Sequence, residues 1–367
     1  MILCADKFGD VFGIPLFLSD GSSEKPAGSA TTSPAPAPAT PADVEMACTE
    51  KGYESAKERA QIQEIFRLRA GDIVTAAERR KRLHVDYNIP FVHHYVLGHV
   101  SMLLSLLTIT LPAEHPAAYG QEKTWVLTSD RDEHIRFTRY PQSSVIGGFC
   151  LGHKQFVKTM HALSWDLKLL ISGGGDEYLL VWNWLNVETL QKVDLVAPVQ
   201  AVLGAATKIF VSKTGDRGEA EAEEAEGLFK IAVRGLWEVP AFRGILVGVE
   251  SVPALFLFSW TTEGLQYTST LSLPGNFLDA AVNPTESKVY ASVDPLDASK
   301  PLLGVYTLAA GGEWSSTTAE ASTIEQAVAK SVDVSEEVLA AVKPTILYSV
   351  SSLRKDYGIW GAEEKEA

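Results

Sequence analysis

Gly152-His153, then Leu169-Leu170-Ile171-Ser172-Gly173-Gly174-Gly175-Asp176, then Glu177-Tyr178-Leu179-Leu180-Val181-Trp182-Asn183, is the stretch on which the fold turns. Two apolar runs of strand length flank a glycine-rich turn, the pattern of adjacent antiparallel strands. The glycine run leads into a strand, not a helix, and lacks the Lys-Ser/Thr of a phosphate-cradling loop, so it is read as a tight turn. The same order occurs upstream. Gly98-His99 precedes Trp125-Val126-Leu127-Thr128-Ser129, which precedes Asp130-Arg131-Asp132-Glu133-His134-Ile135-Arg136-Phe137-Thr138. Asp132 stands six positions before Thr138, as Asp176 stands six before Trp182. Repetition of one unit is the signature of an architecture built by stacking that unit.

Outward from this pair, residues 89–310 keep an all-β texture. Short apolar runs such as Ile245 to Val249, Leu255 to Trp260 and Val289 to Val293 alternate with Gly, Asp, Asn, Pro and Ser. No long helical pattern separates them, which excludes a parallel α/β sheet. Residues 1–18 read as two short strands about the turn Asp6-Lys7-Phe8-Gly9-Asp10. Residues 19–88 form an insertion whose first half is rich in Ser, Ala, Thr and Pro and reads as disordered. Its second half carries nine Lys or Arg against five Asp or Glu over 51–82 and ends in Arg79-Arg80-Lys81-Arg82. That run is either a nuclear-import or nucleic-acid patch or a solvated face. A second acidic excursion, with five glutamates from Glu219 to Glu226, interrupts the strands. Residues 311–345 are a polar, Ala-rich excursion, 346–356 a last strand region and 357–367 an acidic tail.

The chain of 367 residues has a formal net charge of −14, which disfavours a stand-alone nucleic-acid binder. Its three cysteines, Cys4, Cys48 and Cys150, are too scattered for a disulfide framework or a zinc site and read as reduced thiols. His93, His94 and His99 lack nearby acidic partners and read as structural or surface histidines, so no metal is expected. The longest apolar run, Val100 to Leu111, is shorter than the ~20 residues a spanning helix needs, and no membrane association is expected. No nucleophile elbow or paired-carboxylate arrangement is visible.

The repeat resembles the WD-repeat blade of a β-propeller: a Gly-His pair, a strand ending Ser-Gly, a turn Asp and a closing Trp-Asp. By that resemblance His99, Asp132, His153, Asp176 and Trp182 are structural blade residues. Asn183 replaces the usual Asp, and Thr138 the usual Trp. Ser259-Trp260-Thr261 would end a degenerate blade. The strings Ser129 to Arg136, Arg139-Tyr140-Pro141-Gln142, Gly148 to His153 and Leu170 to Asp176 are more specific. They resemble the non-catalytic WD-repeat subunit of tRNA (guanine-N7-)-methyltransferase, fungal members most of all. Ala5 to Val11 and Leu347 to Lys355 fit the same family.

The resemblance implies an all-β, seven-bladed propeller that transfers no methyl group. It would bind and stabilise, as a heterodimer, an S-adenosylmethionine-dependent catalytic subunit forming N7-methylguanosine in the variable loop of tRNA, in the nucleus. It implies no cofactor on this chain, and no glycine-rich strand-to-helix loop that could hold one is present. Strands for about five blades can be counted, so the chain is expected to lack the first blades of the ring. Between Lys123 and Lys168 there are seven Lys or Arg and four Asp or Glu, a basic patch suited to a carboxylate-bearing partner and the edge of a tRNA. Arg136 occupies the place of the family's partner-pairing cation, and Lys154 and Lys158 are further candidates for that face. The alternative function is a general WD-repeat adaptor, a ubiquitin-ligase receptor or chromatin reader.

Overall fold

The computed structural model describes residues 2–5, 10–14, 94–99, 101–143, 145–211, 228–297, 300–309, 312–317, 320–324, 343 and 347–354. The insertion at 19–88, the glutamate-rich excursion and the acidic tail lie outside the described residues. The chain divides into two compact units. One, Leu3–Phe12 with Tyr95–Ala367, holds four four-stranded antiparallel sheets; the other comprises Met1–Ile2 and Gly13–His94.

A three-stranded sheet has the order β1 (Ile2–Ala5), β2 (Asp10–Ile14), β3 (His94–Gly98). The second sheet is β4 (Leu103–Leu111), β5 (Lys123–Asp130), β6 (Ile135–Tyr140) and β7 (Ile146–Cys150). The third is β8 (Val157–Leu163), β9 (Asp166–Gly174), β10 (Tyr178–Asn183) and β11 (Glu188–Asp194). The fourth is β12 (Val233–Val239), β13 (Gly244–Val249), β14 (Ala254–Thr261) and β15 (Gly264–Ser272). The fifth is β16 (Gly275–Asn283), β17 (Lys288–Pro295), β18 (Leu303–Leu308) and β19 (Trp314–Ser316). Each four-stranded sheet is a meander in sequence order, and the first strands β4, β8, β12 and β16 neighbour one another. These are blades of an all-β propeller, five sheets among the described residues.

The unbroken apolar runs follow from stacking. In the third sheet, Leu170, Leu180 and Trp182 pack against Ile109, Leu127 and Phe137 of the second sheet. The alternate residues Ile171, Leu179 and Val181 pack against Val233, Val247 and Phe256 of the fourth. The fourth sheet then turns Leu246, Leu255 and Leu257 toward Phe277, Val289 and Ala291 of the fifth. A sheet covered on both faces has no polar face, so its central strands lose the apolar–polar alternation.

The outer strands explain where the sequence boundaries shift. β11 (Glu-Thr-Leu-Gln-Lys-Val-Asp) extends the third blade to Asp194, past the Asn183 that ends the quoted repeat. β19 falls inside the stretch read as a polar excursion. Both are largely exposed, so they carry no apolar run to betray them. A helix, α1 (Val196–Leu203), links the third sheet onward; Asp194 Oδ2 accepts from Ala197 N at 3.1 Å in its first turn. The region 346–356 is not a strand where described. Ser351–Leu353 is a 3₁₀ turn and Leu347 to Val350 is irregular.

Cys150 is fully buried, and that burial pushes its thiol up to about 12. Native protein at pH 8 should therefore leave Cys150 unmodified by iodoacetamide, and denatured protein should not; peptide mass spectrometry reads the difference. Rapid native alkylation would contradict the packing.

Candidate functional site

The third sheet carries a complete side-chain chain between its strands. Trp182 Nε1 donates to Ser172 Oγ at 2.7 Å, and Ser172 Oγ lies 2.7 Å from His153 Nε2. His153 Nδ1 lies 2.7 Å from Asp176 Oδ2. One assignment satisfies every atom: the indole donates to the hydroxyl, the hydroxyl donates to Nε2, and Nδ1–H donates to the carboxylate. Asp176 also accepts the main-chain N–H of Lys154 (3.2 Å) and Gln155 (3.4 Å), tying the loop before β8 to the turn after β9. Tyr178 stacks on the imidazole, 6.1 Å between centroids and 4° between planes. Desolvation, then Asp176 and Glu177, raise the Tyr178 phenol above its usual value.

Ser172, His153 and Asp176 have the connectivity of a hydrolytic triad, but not its access. Ser172 is fully buried and Asp176 is 1% exposed. The hydroxyl already accepts the indole N–H and is directed at His153, so no electrophile can reach it. The arrangement is structural: it pins two strands, β9 and β10, to the loop before β8 and the turn after β9. Among the described residues no three His, Cys, Asp or Glu side chains gather as a metal site would need.

The second sheet holds a variant of the network. His99 Nε2 lies 2.7 Å from Thr128 Oγ1, in the place of Ser172. The carboxylate beside His99 Nδ1, at 3.5 Å, belongs to Asp130 and not to Asp132, which the repeat spacing selects. The turn explains the shift. Asp130 ends β5 and its Oδ1 accepts the main-chain N–H of Asp132 (2.9 Å) and His134 (3.0 Å), an Asx-type turn. At the matching position of the third sheet stands Gly174, opposite Val157 as Asp130 is opposite Leu103. There a Cβ would meet Phe156 O at 1.9 Å, so the carboxylate must come from two residues later.

Thr138 holds the register place of Trp182, and the room left by the missing indole is taken by Arg136. Its Nε donates to Thr138 Oγ1 and its Nη1 to Gly98 O, both at 3.1 Å. Arg136 is half-buried, while Ile135 and Phe137 are buried on the other face, as strand alternation requires. Cross-strand, Arg136 pairs with Phe149, which is 40% exposed. Val145, Ile146 and Leu151 are exposed along the same edge strand and its flanks. This apolar edge escaped the sequence reading, although Val145-Ile146-Gly147-Gly148-Phe149 is visible as an apolar run.

Lys154 lies in the loop before β8, its main-chain N–H on Asp176. Lys158 is elsewhere: it is the bulged second residue of β8, and burial, then Arg234 of β12, lower its amine from the usual lysine value. The structure thus joins Arg136 and Lys154 to the His networks of adjacent blades, and Lys158 to Arg234. The fourth sheet has no such network. By the same register Val247 and Phe258 stand where Ser172 and Trp182 do, and both are buried apolar side chains packed toward the third sheet. Trp260, read as ending a degenerate blade, lies beyond that position in β14.

A family model described as the tRNA methyltransferase TRM82 WD40 domain matches residues 1–302. A tRNA (guanine-N(7)-)-methyltransferase non-catalytic subunit trm82 from Aspergillus clavatus is 30% identical over 328 residues, 89% of this chain and 55% of that protein. The subunit of the same name from Phaeosphaeria nodorum is 35% identical over 301 residues, 81% of this chain and 55% of its own. That from Aspergillus oryzae is 32% identical over 296 residues, 80% and 50%. The chain spans about half the length of the curated relatives it matches.

Proposed function

The chain belongs to the family of the tRNA methyltransferase TRM82 WD40 domain, and from that premise we propose that it is a non-catalytic scaffold. Its partner is the catalytic subunit that forms N7-methylguanosine in the variable loop of tRNA, which it binds and stabilises. The observation that carries this reading is the sealed Ser172–His153–Asp176 chain: the residues that could do chemistry are spent on holding blades. Beside it lies a surface suited to a protein, with Arg136 next to the exposed Phe149 edge. A cation beside apolar area is the composition of an interface core with an electrostatic anchor.

Arg136 is assigned the carboxylate-pairing role, with Lys154 flanking it. Lys158, beside Arg234, belongs to the same partner face only if that face reaches the first strands. tRNA is met at the edge of this surface. The complex is placed in the nucleus, where Arg79-Arg80-Lys81-Arg82, outside the described residues, would serve import.

Co-expression of the chain with the catalytic subunit, affinity capture and mass spectrometry should recover a one-to-one complex. Guanine-N7 methylation of tRNA should require the catalytic subunit and rise when this chain is added. Capture of a ubiquitin-ligase or chromatin assembly, with no methyltransferase, would replace this reading by a general adaptor.

A further inference from the structure

The segment Leu347 to Arg354 pairs with no β-strand, yet it is bonded to four consecutive sheets. Its first residues meet the fifth and fourth. Tyr348 OH donates to Asp294 and accepts from Asn276 Nδ2 at 3.2 Å, while Arg234 Nη1 donates to Leu347 O. Its middle sits on Glu250, whose two carboxylate oxygens accept the N–H groups of Val350 and Ser351, each at 2.8 Å. Its end reaches the second and third sheets. Arg131 donates to Leu353 O (2.8 Å) and Arg354 O (3.1 Å), and Arg354 Nη2 donates to Gly175 O and Ile231 O.

Two features show that the blades are shaped for this occupant. Glu250 is only 3% exposed, and a carboxylate buried so deeply is costly unless its acceptors are filled. What fills them is a pair of consecutive main-chain amides of the segment, beside the Arg234 guanidinium, whose Nη1 lies 3.6 Å from Glu250 Oε1. Each first strand also carries a β-bulge near its start. The unpaired residues are Leu104, Lys158, Arg234 and Leu278, and such bulges re-aim side chains out of the ladder. Of these, Arg234 binds the segment's first carbonyl, and Leu104 packs with Phe156 and Ala232 around Val350, which is 4% exposed.

We infer that the bulged ends of the first strands form a peptide-binding groove, and that Leu347–Arg354 is its intramolecular ligand, seated across four blades. Most of the recognition is of main chain: two amides by Glu250, and three carbonyls by Arg131 and Arg234. Selectivity comes from two side chains six positions apart. The Tyr348 hydroxyl needs Asp294 as acceptor and Asn276 as donor. The Arg354 guanidinium needs the two carbonyls and lies 5.9 Å from the Phe156 ring centroid. A peptide of the form Tyr-x-Val-x-x-x-Arg, from this chain or another, fits; one lacking either end does not.

Two measurements test the proposal. In the full chain, hydrogen–deuterium exchange over 347–354 should be at least a hundredfold slower than in the free octapeptide, with Val350 and Ser351 slowest. In full-length Tyr348→Phe/Arg354→Ala, the weakened internal ligand should yield to a fluorescein-labelled Leu347–Arg354 octapeptide. Anisotropy should show binding at least tenfold tighter than to the unsubstituted chain. An octapeptide bearing the same two substitutions should bind neither. Exchange as fast as in the free peptide overturns the proposal, whatever the variant does. Equal binding of both octapeptides, or no binding to a variant whose far-ultraviolet circular dichroism is unchanged, overturns the groove as a separable site.

Discussion

Asp176→Ala should cost the fold roughly 3–5 kcal/mol, the range for removing one member of a buried polar pair. Three donors lose their acceptor together: His153 Nδ1 and the main-chain N–H groups of Lys154 and Gln155. Water cannot replace the carboxylate at low cost, because Asp176 is 1% exposed and the His153 side chain is fully buried. The loss should propagate to the Ser172–Trp182 contact, whose hydroxyl orientation depends on His153. In a domain of this size, ~1 kcal/mol moves the melting temperature by ~2–4 °C, so a fall of roughly 6–20 °C is expected in a thermal melt. Asp176→Asn keeps one acceptor oxygen and should fall between. A shift under ~2 °C for the alanine variant would mean that the network is decorative.

Why one blade announces itself and its neighbours do not follows from how each is filled. In the third sheet the polar network falls on consecutive strands and one turn, so His153, Ser172, Asp176 and Trp182 stand at readable spacings. In the second sheet the spacing repeats but the chemistry slides, since Asp130 both ends a strand and closes its own turn. In the fourth sheet, Val247 and Phe258 remove the polar signature, and they pack instead with Ile171, Leu179 and Val181 of the third sheet. Partners from another blade leave no local periodicity. The same holds for Leu347–Arg354. Residues 346–356 read as a last strand region, but the hydrogen-bond partners of Leu347–Arg354 are spread from Arg131 to Asp294. A strand needs one continuous partner, and this segment has four sheets to serve.

Arg136→Glu should weaken binding to the catalytic subunit by roughly two to four powers of ten, as expected when a charge pair at an interface loses one member, ~2–5 kcal/mol. A guanidinium can hold a carboxylate bidentately, which lysine cannot, so Arg136→Lys should recover only part of the affinity. The blade itself complicates the substitution. Arg136 donates to Thr138 Oγ1 and Gly98 O, so its removal also costs about 2 kcal/mol of stability, at ~1 kcal/mol for each hydrogen bond. Arg136→Ala separates the two roles. It removes the same two bonds without adding a negative charge that would repel an acidic partner, so its melting temperature should match that of the glutamate variant within a few degrees. If Arg136 faces a carboxylate, the glutamate variant should bind at least tenfold more weakly than the alanine variant at that matched stability. Titration calorimetry against the catalytic subunit, beside thermal melts of each variant, gives both numbers. Equal affinities for the two would make Arg136 a substitute for the missing indole of its blade. The exposed edge from Val145 to Leu151 would then have to carry the interface on apolar area alone.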